Sequence, residues 1–170
     1  DEIFNLLFDS EVTSLFEEGK ISPLQFFSKV KEILNLKLDY DEFLPIWNEI
    51  FFFSEKNCAV FDIATNLKNC YKVIVLSNIN TLHFEYVKKA FPILNAFQII
   101  TSFELGLRKP QAQIYQKALQ ILDTLPQNVF YTDDRAELIA AANQLGIRSF
   151  IFKGAEQLKK DLTDTGIPIS

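Results

Sequence analysis

A chain of 170 residues at 19.6 kDa has room for one domain with a sizeable insertion or for two small ones. Its composition, 48% hydrophobic and 23% charged, is ordinary for a globular protein and excludes disordered, collagen-like and low-complexity classes. Seventeen basic against twenty-two acidic side chains leave a net charge of -5, so no nucleic-acid footprint is expected.

In chain order, apolar residues first recur at helical spacing: Phe4, Phe8, Val12, Leu15 and Phe16; then Leu24, Phe27, Val30, Ile33 and Leu34; then Phe43, Ile46, Trp47 and Ile50. Gly19 ends the first group. Ser22-Pro23 reads as an N-cap followed by proline at the first helical position, and Asp39 and Asp41 acidify the start of the third helix. The many aromatics of this stretch, Phe51 to Phe53 among them, read as core. Ile50-Phe51-Phe52-Phe53 is also among the longest apolar runs, far short of the roughly 18 residues a membrane span needs. Cys58 and Cys70 form neither a disulfide framework nor a metal pattern, so reduced thiols and a cytoplasmic location are expected.

The chain divides near residue 70, where the helical pattern gives way to alternating strands and helices. A helix is expected over 59–69, a buried strand over Lys72–Leu76, and a helix from Leu82 to Phe91, ahead of Pro92. A second strand follows at Gln98–Thr101 and a helix at Gln111–Leu122, introduced by Pro110. A third strand is read at Asn128–Thr132, a helix at Ala136–Leu145 closed by Gly146, and a fourth strand at Ile147–Phe152. Such alternation argues for an α/β parallel sheet with helices on both faces.

Ligands of such sheets bind outside the carboxyl ends of the strands. Polar residues stand there after three of the runs: Ser77-Asn78 after the first, Arg108-Lys109-Pro110 beyond the second, and Thr132-Asp133-Asp134 at the third. Each has a structural alternative, as a turn, a solvated charge or a helix cap. Together they have one chemical use. Adjacent carboxylates repel unless a cation relieves them, and an oxygen-rich site with one or two carboxylates suits Mg²⁺. A lysine and a hydroxyl beside them would hold phosphoryl oxygens. His83, the sole histidine, lies just inside a helix with no partner ligand and is read as filler.

Val75-Leu76-Ser77-Asn78, Arg108-Lys109-Pro110 and Phe130-Tyr131-Thr132-Asp133-Asp134 resemble motifs II, III and IV of the haloacid dehalogenase (HAD) superfamily, in order and at typical spacing. The strings from Leu105 to Tyr115 and from Ala142 to Ile147 are similar to the branch that includes α-D-glucose-1-phosphate phosphatases. Phe16-Glu17-Glu18-Gly19-Lys20-Ile21-Ser22 resembles part of that branch's helical cap. The resemblance implies a Rossmannoid core over 58–170 and a helical cap over 1–57. It implies that Ser77 and the Asn78 N–H bind phosphate, that Lys109 neutralises charge, and that Asp134 holds Mg²⁺ with Asp133 beside it. The implied reaction is hydrolysis of a small phosphorylated metabolite, such as a sugar phosphate, through an aspartyl-phosphate. The alternatives are a non-catalytic binding or regulatory protein and a dehalogenase, the latter needing no metal.

Motif I, the nucleophilic Asp, must precede the cap. Asp9, after Ile3–Phe8, is the one candidate, but Phe4, Phe8, Val12 and Leu15 continue a helical face through it, and it stands only ten residues before Gly19. The expectation is that motif I lies upstream of Asp1, that the sheet has a gap between the strands ending at Ser77 and Asp133, and that residues 1–170 alone hydrolyse nothing. The chain has no methionine, which fits a piece of a longer protein.

Overall fold

The computed structural model describes residues 10–52 and 54–168. Nine α-helices and four strands are found among them: α1 Glu11–Glu17, α2 Pro23–Ile33, α3 Tyr40–Asn48, α4 Glu55–Leu67, β1 Ile74–Ser77, α5 Thr81–Ala90, β2 Gln98–Thr101, α6 Ser102–Leu105, α7 Ala112–Leu122, β3 Phe130–Asp133, α8 Ala136–Gln144, β4 Arg148–Ile151 and α9 Ala155–Asp164. No helix among the described residues is long and apolar enough to cross a membrane. Compactness divides these residues into two units, 10–52 with 76–108 and 54–75 with 109–168.

In the first unit the helix starts are written into the sequence. Ser22 accepts from the Gln25 N–H while its own N–H donates to Gln25 Oε1, a reciprocal cap with Pro23 at the first helical position. Asp39 and Glu42 repeat the arrangement at α3. The apolar faces of these helices meet in an aromatic core of Phe16, Phe26, Phe27, Val30, Phe43 and Trp47. Phe16 stacks on Phe26 with ring centroids 4.3 Å apart, and Phe26 lies 4.9 Å from Trp47. The aromatic reading fails at Phe52, which is 78% exposed; Phe53 lies outside the described residues. Gly19 takes φ +64° where α1 turns away, and a Cβ there would stand 2.5 Å from the Phe103 carbonyl oxygen. The strands of this region, β1 and β2, are hydrogen-bonded neighbours.

The second unit is built on the parallel pair β3 and β4, in register from Phe130 opposite Arg148 to Asp133 opposite Ile151. Phe130 stacks on Phe150 at 4.8 Å, and α8 packs on both strands. On α4 and α9, Ile63, Leu158 and Leu162 form a further core. Helix α9 has no counterpart among the expected elements.

The strand ends shift from their expected places. Pro126 opens a 3₁₀ turn that takes up Asn128, so β3 starts at Phe130 and its last residue is Asp133. β1 likewise runs to Ser77. Helix α4 starts at Glu55 instead of residue 59, because the Ser54 N–H is taken by Asn57 Oδ1. Among the described residues the strands make two two-stranded sheets, β1 with β2 and β3 with β4, where the sequence reading expected a gap between the strands ending at Ser77 and Asp133. Asp9 and the run Ile3–Phe8 lie outside the described residues.

Candidate active site

Strand β3 brings Asp133 to its carboxyl end, and Lys109, just before Pro110, reaches the same point. The Lys109 ammonium donates to Asp133 Oδ2 at 2.6 Å, and Lys109 is 6% exposed. A strand's side chains alternate, so Tyr131 faces the same way as Asp133. Its hydroxyl donates to the same Oδ2 at 2.7 Å and accepts from Lys109 Nζ at 3.4 Å, while the ammonium stands 5.8 Å from the ring centroid. The Arg135 N–H donates to Oδ1 at 3.2 Å.

Burial works to raise the Asp133 carboxyl. The hydrogen bond and charge of Lys109, the Tyr131 hydroxyl and the Arg135 N–H outweigh it and hold the group below the usual carboxylate range. Burial first, and then the bond to Asp133, push the Tyr131 phenol far above its ordinary value, so it remains a donor. Behind it Tyr115 meets Tyr131 edge-on at 5.8 Å and donates to the Leu138 carbonyl at 3.0 Å. Burial raises the Tyr115 phenol to about 12.

Asp134 is exposed at the next position. Its carboxylate suits the expected Mg²⁺, which binds through one or two carboxylates and keeps several waters. Asp133 is held differently: Oδ2 is shared by Lys109 and Tyr131, and Oδ1 takes the Arg135 N–H. No group of three or more His, Cys, Asp or Glu side chains able to hold a metal is gathered among the described residues. The residues present fit a site with Asp134 as the protein ligand and Asp133 bound to the lysine.

Ser77 and Asn78 belong to the first unit, at the end of β1. The loop they open is pinned from below. Ser102 Oγ accepts from the Ile79 N–H at 2.9 Å and donates to the Ile79 carbonyl at 3.1 Å. Asn80 caps α5, its Oδ1 accepting from the His83 N–H at 3.0 Å. His83 is core filler, as read: buried, stacked on Trp47 at 4.6 Å, its Nε2 3.0 Å from the Trp47 carbonyl and its Nδ1 3.0 Å from Asn80 Nδ2. Arg108 ends this unit, donating to Ser14 Oγ at 2.8 Å and pairing with Glu17 at 2.9 Å.

Of the expected residues, then, the structure brings Lys109 and Asp133 into contact and leaves Asp134 exposed at the next position. Ser77 and Asn78 stand at another strand end, in the other unit. The sequence reading passed over Tyr131, although its place two residues before Asp133 on a strand is a legible signal. Ser102 was passed over too, and there the partner is 23 residues away with no local pattern to show it.

The haloacid dehalogenase-like hydrolase family matches residues 9–152. D-ribitol-5-phosphate phosphatase of Bacteroides thetaiotaomicron is 25% identical over 155 residues, 86% of this chain and 74% of that protein. Flavin mononucleotide hydrolase 1 of Arabidopsis thaliana is 34% identical over 65 residues, 38% of this chain and 26% of its own length. In the crystal structure of a HAD family enzyme from B. thetaiotaomicron, the wild-type protein is in complex with magnesium and inorganic phosphate; 86% of this chain covers 76% of it with a TM-score of 0.74 and 23% identity. A HAD-like family hydrolase from Porphyromonas gingivalis superposes over 98% of this chain and 84% of its own, with a TM-score of 0.79 and 21% identity. The fold is that of these enzymes, and the match over most of the chain shows that it belongs to the haloacid dehalogenase-like hydrolases.

Proposed function

We propose that the chain is the greater part of a Mg²⁺-dependent phosphomonoesterase for a small phosphorylated metabolite, a sugar or polyol phosphate. The observation that carries this reading is the buried Lys109–Asp133 pair beside the exposed carboxylate of Asp134. A relative named as a ribitol-5-phosphate phosphatase and a neighbour crystallised with magnesium and phosphate support it. A helical cap over 1–57 and a core over 58–170 form part of the proposal, supported by an aromatic core whose buried residues all come from α1–α3. So does a cytoplasmic location, consistent with two free thiols.

Magnesium, when bound, neutralises charge on the phosphoryl group. The residues of the chain do the rest. Lys109 donates to a phosphoryl oxygen, and its pairing with Asp133 holds the buried ammonium in place. The family resemblance assigns phosphate binding to the Ser77 hydroxyl and the Asn78 N–H as well. The nucleophilic carboxylate, which forms the aspartyl-phosphate as the ester oxygen departs, is assigned upstream of Asp1 and not to Asp9.

The test is phosphate release by the whole protein from pentitol and hexose phosphates, with Mg²⁺ and with chelator, in wild type and Asp134→Asn. Losing a charge-neutralising ligand costs on the order of 10²–10³ in rate. Asp134 is exposed, so the variant should fold as the wild type does. Activity within tenfold of wild type, or undiminished by chelator, contradicts the proposal. Loss of activity in Asp9→Asn contradicts the placement of the nucleophile, and chloride release from haloacids without Mg²⁺ points to the dehalogenase.

A further inference from the structure

Three polar groups close a ring at the end of β3. Lys109 donates to Asp133 at 2.6 Å and to Tyr131 at 3.4 Å, and Tyr131 donates to Asp133 at 2.7 Å. The carboxylate oxygen that receives Lys109 is thus the one that receives the phenol. A phosphoryl group draws on the same positive charge that this oxygen holds. A carboxylate that already accepts a second short hydrogen bond has less negative charge to offer, and the phenol oxygen gives the ammonium a further resting point.

We propose that Tyr131 is a positioning residue, whose hydroxyl moderates the grip of Asp133 on Lys109 and so leaves the ammonium able to bind a phosphoryl oxygen. The proposal rests on reading Lys109 as the phosphate-binding cation. Tyr131 itself touches no substrate. A tyrosine is well suited to this, since a phenol can donate to the carboxylate, accept from the ammonium and hold its ring against Tyr115. Phenylalanine would keep the ring packing and the ring face toward Lys109 while removing both hydrogen bonds. Asp133 would then hold Lys109 more strongly, and phosphate would bind less well.

The experiment is calorimetric titration of the whole protein with inorganic phosphate in the presence of Mg²⁺, with thermal unfolding followed alongside. Tyr131→Phe should weaken phosphate binding about tenfold, the value of roughly one charge-assisted hydrogen bond. Ser149→Ala is the control. It removes a part-buried hydroxyl from the neighbouring strand β4, one that bonds the Ile147 carbonyl, so it should lower the unfolding temperature yet keep wild-type phosphate affinity. Wild-type affinity in Tyr131→Phe overturns the proposal and leaves the hydroxyl a stability element only. Equal weakening in both variants overturns it as well, because the effect would then follow loss of stability. A measurement on the unmodified chain covers the case in which Tyr131→Phe does not fold: the Tyr131 hydroxyl proton should give a slowly exchanging resonance that shifts when phosphate is added, and an unmoved resonance in a phosphate-bound sample overturns the proposal. If phosphate fails to bind the wild type at all, the reading of Lys109 as its ligand has failed, and the role of Tyr131 falls with it.

Discussion

Lys109 is buried against Asp133, and that changes what its removal should do. An ammonium at a strand end, judged from sequence, contributes charge and little packing. In the fold its loss would strand a buried carboxylate, and breaking such a pair from one side costs about 3–5 kcal/mol. Lys109→Ala should therefore lower stability by about that amount as well as abolish phosphate binding, and chemical denaturation would show it. Adding Asp133→Ala should restore much of the stability and none of the binding. His83 makes a different prediction. Burial, only partly offset by the bond to the Trp47 carbonyl, lowers its imidazole to about 4. The contacts agree: Asn80 Oδ1 takes the His83 N–H, so Nδ2 donates to Nδ1, and a proton on Nδ1 would face a donor. Above pH 6.5 the ring is neutral folded or unfolded and its burial counts in full. As pH falls from 6.5 toward 4 the unfolded chain takes up a proton that the folded chain refuses, and stability declines. Between pH 7.5 and 5 the loss should be about 2 kcal/mol. Denaturant titrations at the two pH values check it against His83→Gln, in which this component of the pH dependence should vanish.

Helix starts were legible because each is a local event. Ser22-Pro23 and Asp39 announced α2 and α3, and the structure adds the reciprocal bonds from Gln25 and Glu42. Ser22→Ala should cost about 1 kcal/mol, with thermal unfolding as the measure. Helix α9 was missed for the opposite reason. Its buried residues are Leu158 and Leu162, one turn apart in an otherwise polar segment, and their partners on α4 lie almost a hundred residues earlier. Strand ends moved by a residue or two where a proline-led 3₁₀ turn took the first residues, as at Pro126. Gly19 carries an element-scale prediction of its own. Its positive φ and the 2.5 Å approach to the Phe103 carbonyl leave no room for a side chain. Gly19→Ala should destabilise the chain by about 1–3 kcal/mol, through both strain and displacement of the Phe103 backbone. An unchanged unfolding temperature would mean that α1 and the Phe103 backbone are not held together as described.

At the scale of the molecule, the order of motifs along the chain carried most of the functional information. Ser77 and Asp133 fall at strand ends because apolar runs stop there, and Lys109 in the connection beyond the second run, so the pattern along the sequence shows where to look. Pairings across sequence distance were not legible. Nothing near Lys109 says that it meets Tyr131, 22 residues on, and nothing near Ile79 names Ser102. The division of the described residues into two units likewise follows from contacts that periodicity does not register. The central claim is that Lys109 and Asp134 meet phosphate and cation while Asp133 stays with Lys109. The most direct measurement is a crystal structure of the protein grown with Mg²⁺ and inorganic phosphate. A cation on Asp134, phosphate within hydrogen-bond reach of Lys109, and Asp133 still bonded to Tyr131 are the predicted result. A cation bound elsewhere, or phosphate out of reach of Lys109, would contradict it.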